Sequence, residues 1–259
     1  MIKFFRKIRQ RLLSESKFSK YLLYAIGEVI LVIIGILMAL QINNWNEERK
    51  LDASNEVLKH KLMGELDLNV DRLIRLDSLA SRNGKPRGLK AIILNADTAI
   101  DRVESGLERD DIEWLLNTDL LVASSFNLHS SVYEEMKNTG RLYTLGSDSL
   151  LQSIDKYYRR IEREEFYATV RNEQAIKYWD ECKYGFKVLT IDFAELGITA
   201  IEIHPWLFRP DSKELLDLRL ALHTGRSCMR RNRARLKEMI ADSRALRSKI
   251  ESSLGTGIL

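Results

Sequence analysis

The sequence has few of the residues that interrupt helices. Only 3 of its 259 residues are proline and 13 are glycine, and these are spread along the chain. Both residue types destabilise helix interiors, so their scarcity favours long helices. No low-complexity tract or repeat is evident. Apart from one apolar segment, the chain is long enough for one sizeable core or two small ones.

Signals of catalysis and metal binding are also scarce. The four histidines, His60, His129, His204 and His223, are scattered without metal-type spacing to cysteines or acids. There is no glycine-rich phosphate loop and no G-x-S-x-G motif. The many acids are explained by solvated helix faces. The sequence therefore predicts no catalytic residue, no metal ligand and no cofactor.

One long apolar run lies near the N-terminus. Residues 21–42 read YLLYAIGEVILVIIGILMALQI, and as a helix they would span roughly 33 Å, enough for a hydrocarbon core of about 30 Å. The uninterrupted apolar part, residues 29–40, is shorter, which leaves a cleaved signal peptide as the alternative. Residues 39–45 contain no small-x-small cleavage pattern. We therefore predict an uncleaved signal-anchor that forms a transmembrane helix.

The charges that flank this run predict its direction. Residues 1–20 carry seven Lys/Arg and one acid, whereas residues 41–60 carry three Lys/Arg and four acids. The more basic flank stays in the cytosol. We expect a cytoplasmic N-terminus, a single span and an extracytoplasmic domain formed by residues 43–259.

The basic segment, residues 1–20, has a pattern of its own. Ile2, Phe5, Ile8 and Leu12 recur at helical spacing, with Lys/Arg on the other face. This pattern indicates a basic helix lying on the inner leaflet. The alternative is a disordered basic tail that only sets the topology.

Small residues within the span fall on one helix face. Gly27, Gly35 and Ala39 occur at intervals of four or eight residues, and Gly35-xxx-Ala39 is a small-xxx-small pair that allows two helices to approach closely. We take these three residues as a candidate helix-pairing face. The expected partner at this face is a second copy of the chain.

An acid, Glu28, lies two turns into the span. A charge deep in a bilayer is costly, so such acids usually have a partner or a role. One interpretation is that Glu28 is protonated or bonded to Tyr24, one turn earlier. The other is a role in oligomerisation or signalling.

The domain after the span begins with a second helical pattern. Residues 46–82 contain no proline, and six apolar residues form a stripe of helical period, so we expect the span to continue as one rod. Residues 83–88, NGKPRG, are expected to end it. The stripe consists of Leu58, Leu62, Leu66, Val70, Leu73 and Leu76.

Shorter helices are predicted next. One covers residues 89–100. Another starts at Asp110, whose spacing to Glu113 fits a capping box. Ser131 and Glu134 repeat that capping pattern.

Two long helices complete the predicted domain. Gly140 ends the preceding helix, and a long helix then runs from residue 147 or 148 to about 187. Residues 188–210 allow two short strands at most, and the last helix runs from residue 211 or 212 to about 252. The resulting prediction is a mainly α protein whose transmembrane helix precedes an antiparallel bundle of long helices. The inward face of the first long helix is expected to contain Leu151, Ile154, Tyr158, Ile161, Phe166, Val170 and Ile176.

The two cysteines lie in these two long helices. Pro205 is midway between Cys182 and Cys228 and falls in the connection. A hairpin centred there would place the cysteines level, and an oxidising periplasm would favour a disulfide. The alternative is two unpaired thiols in the core.

The last helix is strongly basic. Residues 219–249 hold ten Lys/Arg and two acids. One interpretation is complementarity with acidic helices of the same domain, and the other is contact with an anionic ligand or lipid surface. Nucleic acid would require a cytosolic domain, which the flanking charges argue against. The candidate anion contacts are Arg226, Arg230, Arg231, Arg233 and Arg235.

Two stretches resemble a known family. They are MIKFFRKIRQRLL…KYLLYAIGEVILVIIGILMALQINNWNEERK within residues 1–50 and FNLHSSVYEEMKNTGRLYTLGSDSLLQSIDKYY in residues 126–158. Both are similar to single-span proteins of Gram-negative bacteria that are grouped as a domain of unknown function. The resemblance implies an inner-membrane protein with a helical periplasmic domain. It implies no activity, substrate or catalytic residue.

Three functional hypotheses follow. The first is a non-enzymatic, membrane-anchored interaction or sensory module with a periplasmic helical bundle. The second is a structural scaffold that binds a larger envelope complex. The third is a cryptic enzyme, which a buried pocket with converging acids or histidines would favour. The expected partners are the lipid bilayer, a second copy of the chain and an unidentified envelope protein.

Overall fold

The computed structural model describes residues 18–79 and 87–254. The predicted surface helix at residues 2–12 and most of the predicted break at residues 83–88 lie outside these ranges. The chain divides into two compact units, residues 1–57 and residues 58–259. The predicted mainly α fold is confirmed, because the regular structure of the described residues is helical throughout.

The described residues contain seven α-helices and four 3₁₀-helices. The 3₁₀-helices are Arg141–Thr144, Cys182–Tyr184, Gly197–Ile203 and Pro205–Phe208. The α-helices are α1 (Phe18–Ser78), α2 (Leu89–Ser105), α3 (Arg109–Leu116), α4 (Ser131–Asn138), α5 (Asp148–Glu181), α6 (Phe186–Leu196) and α7 (Lys213–Ser252).

The first unit contains the apolar part of α1. Its large side chains are exposed, and Leu23 and Leu31 keep 75% and 71% of their surface accessible. Within the described ranges, α1 is the one helix that is long and apolar enough to cross a membrane. Exposed apolar side chains of this kind are compatible with a lipid environment.

The second unit has its own hydrophobic core, and the stripe predicted on α1 contributes to it. Leu58, Leu62, Leu66 and Leu73 are buried, as the helical period indicated. Around Leu62 and Leu66 the core is completed by side chains of α4, α5 and α7. Further along, Leu73 packs with residues of α2 and α7.

A second part of this core lies at the opposite end of α5 and the start of α7. It joins the end of α2, the apolar residues of α3, the start of α6 and the three 3₁₀-helices within residues 182–208. The strands allowed for residues 188–210 are wrong. This stretch forms α6 and two 3₁₀-helices instead, and its apolar residues Leu189, Ile201 and Leu207 are buried.

The predicted inward face of α5 is only half right. Ile154, Tyr158 and Ile161 are buried. The prediction is wrong for Phe166, Val170 and Ile176, because these side chains are 63%, 44% and 41% exposed. The buried positions there are Glu164, Ala168 and Ala175, because small residues allow α7 to approach closely at this level.

The helix termini also differ from the predictions in detail. The capping box of α3 joins Glu108 and Asp111 rather than Asp110 and Glu113, so this helix starts earlier. Helix α5 begins after Ser147, whose side chain accepts a bond from the backbone N–H of Leu150, as expected. It ends at Glu181 rather than near residue 187. A Cβ at Gly185 would lie 2.8 Å from Glu214 Cβ, so the chain turns there in close contact with α7.

Candidate functional site

Helices α5 and α7 lie side by side over much of their length. The Tyr157 and Ser243 hydroxyls are 2.7 Å apart, and Arg171 Nε donates to Asn232 Oδ1 at 2.6 Å. The residue number thus rises along α5 as it falls along α7. This alignment brings side chains that are far apart in the sequence into one cleft.

The cleft between these two helices has a volume of about 290 Å³. Lys249 reaches from α7 to α5, where its Nζ donates to the Ser149 carbonyl, the Ser149 hydroxyl and the Ser153 hydroxyl at 2.8, 2.9 and 2.6 Å. Arg160 reaches in the other direction and bonds to Asp242 and Glu238. The residues that line the cleft are Ser153, Lys156, Tyr157, Arg160, Asp242, Ala245, Leu246 and Lys249.

A buried carboxylate, Glu65, ties α1 to α4 and α5. It is 4% exposed and accepts a bond of 2.6 Å from the Tyr158 hydroxyl. It also accepts from the Ser131 hydroxyl at 3.1 Å and from the backbone N–H of Val132 at 2.7 Å. The predicted capping of α4 by its own Ser131 is therefore wrong, because an acid from α1 caps this helix.

The segment before α4, residues 119–130, is not helical, and helix side chains bind its backbone. Asn69 donates to the carbonyl of His129 and accepts from its N–H, at 2.9 and 2.6 Å. Arg72 donates to the carbonyl of Phe126, and Glu165 accepts from its N–H. Side chains thus supply the bonds that a neighbouring strand would otherwise supply, which explains how Phe126 can be buried in a non-helical segment.

The buried histidine His204 has two polar partners. His204 is 8% exposed, and its Nε2 lies 2.7 Å from Asp192 Oδ2. Trp206 donates its indole N–H to His204 Nδ1 at 3.1 Å, which places the ring hydrogen of a neutral His204 on Nε2. The geometry connects α6 to the following 3₁₀-helices. Within the described ranges, no group of three or more His, Cys, Asp or Glu could hold a metal ion.

Three of the five predicted anion contacts on α7 bind acids of the neighbouring helices. Arg226 and Arg230 donate to Asp97 of α2 at 3.1 and 2.8 Å. Arg233 donates to both carboxylate oxygens of Asp77 of α1. These contacts support the interpretation of the basic helix as complementary to acidic helices of its own domain.

The other two arginines differ in their contacts. Arg235 donates to Glu238 on its own helix at 2.9 Å, and its Nε lies 3.9 Å from a carboxylate oxygen of Glu164 of α5. Arg231 donates to the Ser227 hydroxyl, also on its own helix. The five arginines therefore do not converge on one cleft.

The two cysteines are both buried and are not joined by a disulfide. In the alignment of α5 with α7, Cys182 lies level with about residue 220, roughly 12 Å along the helix from Cys228. The two long helices are therefore not centred on Pro205, which is the condition under which the cysteines would be level. Burial raises the pKa of the Cys182 thiol to about 11 and also raises the pKa of Cys228.

The predicted residues of the span lie in the first unit. Gly27 and Glu28 line one groove together with Tyr24, whereas Gly35 and Ala39 do not line it. A Cβ added at Gly27 or Gly35 would meet no atom within 4 Å. Ala39 is exposed further along the helix.

Comparison with protein-family models, curated proteins and solved structures finds no match for this chain. The family resemblance of residues 1–50 and 126–158 therefore stays a prediction that rests on those motifs.

The polar residues of the second unit's interior were not predicted from the sequence. A signal for two of them existed, because Glu65 and Asn69 lie on the same face of α1 as Leu62, Leu66 and Leu73. A polar residue on an apolar face indicates a buried bond. No such signal existed for Lys156 and Lys249, since their proximity depends on the alignment of α5 with α7.

Proposed function

We propose that this protein is a single-span protein of the bacterial inner membrane that carries a non-enzymatic interaction or sensory module in the periplasm. The asymmetry of charge around residues 21–42 supports a cytoplasmic N-terminus and a periplasmic C-terminal domain. The pairs Tyr157–Ser243 and Arg171–Asn232 support an antiparallel helical bundle as the architecture of that domain.

The observation that carries this proposal is the continuity of α1. It is one helix from Phe18 to Ser78, apolar and exposed near its start and packed in the core at Leu62, Leu66 and Leu73. A shift or rotation of this helix would change the packing around those three leucines. Well-packed cores switch between discrete arrangements rather than deform continuously, so such a helix is suited to convey a signal.

Pairing of two chains through the span would give such a signal a means of transmission. Gly27, Gly35 and Ala39 offer a surface for close helix contact, and Glu28 lies beside it. A second copy is therefore the partner proposed for the span. An envelope protein is the partner proposed for the domain.

A topology experiment tests the membrane part of the proposal. Reporter domains that are active on only one side of the membrane are fused after Leu13 and after Leu259. We expect the first reporter to be cytosolic and the second periplasmic. A cytosolic reporter after Leu259 would overturn the orientation.

Crosslinking in native membranes tests the functional part. The full chain is captured after crosslinking and its partners are identified and quantified. For a sensory module we expect crosslinks between copies of the chain. Other partner proteins should then be captured at a low and variable ratio to the chain. A stable partner at fixed stoichiometry would identify a structural scaffold instead.

A further inference from the structure

The cleft between α5 and α7 is lined by more positive than negative side chains. Lys156, Arg160 and Lys249 contribute three cations, and Asp242 contributes one acid. Asp242 is already bound to Arg160, which also binds Glu238. The charges of the two lysines are therefore not balanced within the cleft.

The bonds of the lysines confirm this imbalance. All three acceptors of Lys249 Nζ are neutral oxygens of Ser149 and Ser153. Lys156 is exposed and forms no ion pair with the residues that the structure describes. Two ammonium groups on facing helices thus stand at one cleft without a carboxylate partner.

This end of α7 differs from the rest of the helix. Arg226, Arg230 and Arg233 are matched by Asp97 and Asp77. Internal complementarity accounts for those arginines but not for the lysines. A surplus of positive charge in a concave site, rather than on a convex surface, favours an anionic ligand.

The base of the cleft is apolar. Tyr157 and Leu246 are each 5% exposed, and both line it. A volume of about 290 Å³ is at the small end of the range for ligand pockets, about 300–1,000 Å³. The cleft thus suits a small molecule that has one charged group and a short apolar part.

We propose that this cleft binds a phosphate monoester, with the phosphate between Lys156 and Lys249 and the apolar part against Tyr157 and Leu246. The phosphate would replace at least one serine oxygen as an acceptor of Lys249 Nζ, since the three N–H groups of that ammonium already donate to Ser149 and Ser153. A phosphate monoester carries about two negative charges near neutral pH, which matches the two lysines. This inference rests on the proposed function and gives the sensory module its ligand class. A ligand bound to one lysine from each helix would tighten the contact of α5 with α7 at Tyr157 and Ser243.

The experiment is a titration of the full chain, in nanodiscs of zwitterionic lipid, with butyl phosphate. Binding is followed by calorimetry or by the phosphorus NMR signal of the ligand. We expect saturable binding that weakens at least about tenfold in Lys249→Gln and in Lys156→Gln, because a charge-assisted bond is lost in each. The matched control is Lys237→Gln, which removes an exposed lysine of α7 outside the cleft; it should change the affinity by less than about twofold.

Two results would overturn the proposal. One is the absence of saturable binding to the wild-type chain. The other is an equal loss of affinity in Lys249→Gln and Lys237→Gln, since only a general attraction of anions would then be at work. Circular dichroism of each variant confirms that it is folded.

A second arm distinguishes a lipid headgroup from a soluble ligand. The titration is repeated in nanodiscs that contain phosphatidic acid. If phosphatidic acid competes with butyl phosphate and weakens its binding, and Lys249→Gln removes this competition, the site is assigned to the lipid headgroup. If the affinity for butyl phosphate is unchanged, the site is assigned to a soluble phosphate ester. If the reporter after Leu259 is periplasmic but butyl phosphate does not bind, only this site is refuted. If butyl phosphate binds but that reporter is cytosolic, only the proposed orientation is refuted.

Discussion

Glu65 and Tyr158 are 93 residues apart in the sequence, and the Tyr158 hydroxyl donates a bond of 2.6 Å to the Glu65 carboxylate. The same carboxylate accepts from Ser131 and Val132 at the start of α4. Tyr158 also stacks on Tyr133, with ring centroids 4.1 Å apart. One acid on α1 thus fixes the position of two other helices.

Replacing this acid should destabilise the second unit. Glu65→Ala leaves two hydroxyls and one backbone N–H without their acceptor in a buried site. We expect the free energy of unfolding to fall by roughly 2–4 kcal/mol. Denaturant unfolding of the full chain in detergent, followed by circular dichroism, measures this change.

The control for that variant is Asp71→Ala, which removes an exposed acid from the same helix. It should change the free energy of unfolding by less than about 0.5 kcal/mol. Equal effects of the two substitutions would contradict the role assigned to Glu65.

The packing of α1 was predictable from the sequence, but the packing of α5 was predictable only in part. Helical periodicity located the buried leucines of α1, because a continuous stripe on one helix needs no knowledge of its partners. The same reasoning failed on α5 beyond Ile161. There the face toward α7 is occupied by Ala168 and Ala175, while the larger Phe166 and Val170 are exposed. Size alone was therefore misleading where two helices approach closely.

The candidate site was beyond prediction for a related reason. Lys249 meets Ser149 and Ser153 only because of the alignment of α5 with α7. That alignment depends on how residues 182–212 fold, and they form α6 and 3₁₀-helices rather than a simple turn. The same difference moved Cys182 out of reach of Cys228.

We expect the second unit to lose stability at high pH because of Tyr133. Burial, and next its bond to Asp155, raise its pKa from the ordinary value of 10 to about 12. Since the unfolded chain releases this proton first, the stabilisation is complete below pH 10 and is lost as the pH rises through about 12. The free energy of unfolding should fall in this window by up to roughly 1.4 kcal/mol per pH unit.

Tyr133→Phe should reduce the fall of the free energy of unfolding with pH in this window. A change in stability that is the same at every pH would not affect this comparison. The control is Tyr143→Phe, because Tyr143 is 74% exposed. Unfolding curves at pH values between 9.5 and 11.5 provide the comparison. Parallel profiles for wild type and Tyr133→Phe would show that this tyrosine titrates normally.

The cysteines should react slowly in the native protein. The pKa of Cys182 is about 11, against an ordinary value of 9, and both thiols are buried. At pH 8 we expect maleimide to modify Cys182 at least about 100-fold more slowly in the native than in the unfolded chain, because only the thiolate reacts.

Mass spectrometry of the full chain, purified from membranes without reductant, provides the readout. Two free thiols are expected. A mass two hydrogens lower, with no labelling after unfolding, would establish the disulfide that the structure does not contain.

Two glycines should respond to alanine with opposite signs. A Cβ at Gly88 would lie 2.3 Å from the carbonyl oxygen of Asp77, so Gly88→Ala forces the end of α1 away from the start of α2. A Cβ at Gly64 would meet nothing within 4 Å in the interior of α1. We expect the free energy of unfolding to fall by at least about 2 kcal/mol in Gly88→Ala and to rise by about 0.5–1 kcal/mol in Gly64→Ala. Thermal unfolding of both variants tests the pair, and a neutral Gly88→Ala would contradict the close backbone approach.

Gly35 allows pairing of the span to be separated from folding. A Cβ added at this position would meet nothing within 4 Å, and Gly35 lies in the first unit, so Gly35→Leu should leave the unfolding of the second unit unchanged. If two spans pack through this face, the added side chain separates them, and we expect self-association to fall several-fold. Energy transfer between donor- and acceptor-labelled full chains in vesicles measures the association.

The control for pairing is Ile33→Ala, a comparable change of size about 160° around the helix from Gly35. It should leave the energy transfer intact if the small-residue face is the contact. Equal losses in both variants would indicate that the spans associate without a preferred face, and Glu28 would then lose its position at an interface. A loss confined to Gly35→Leu would instead place the acid beside the contact, where a bond to a second chain would favour pairing of the spans.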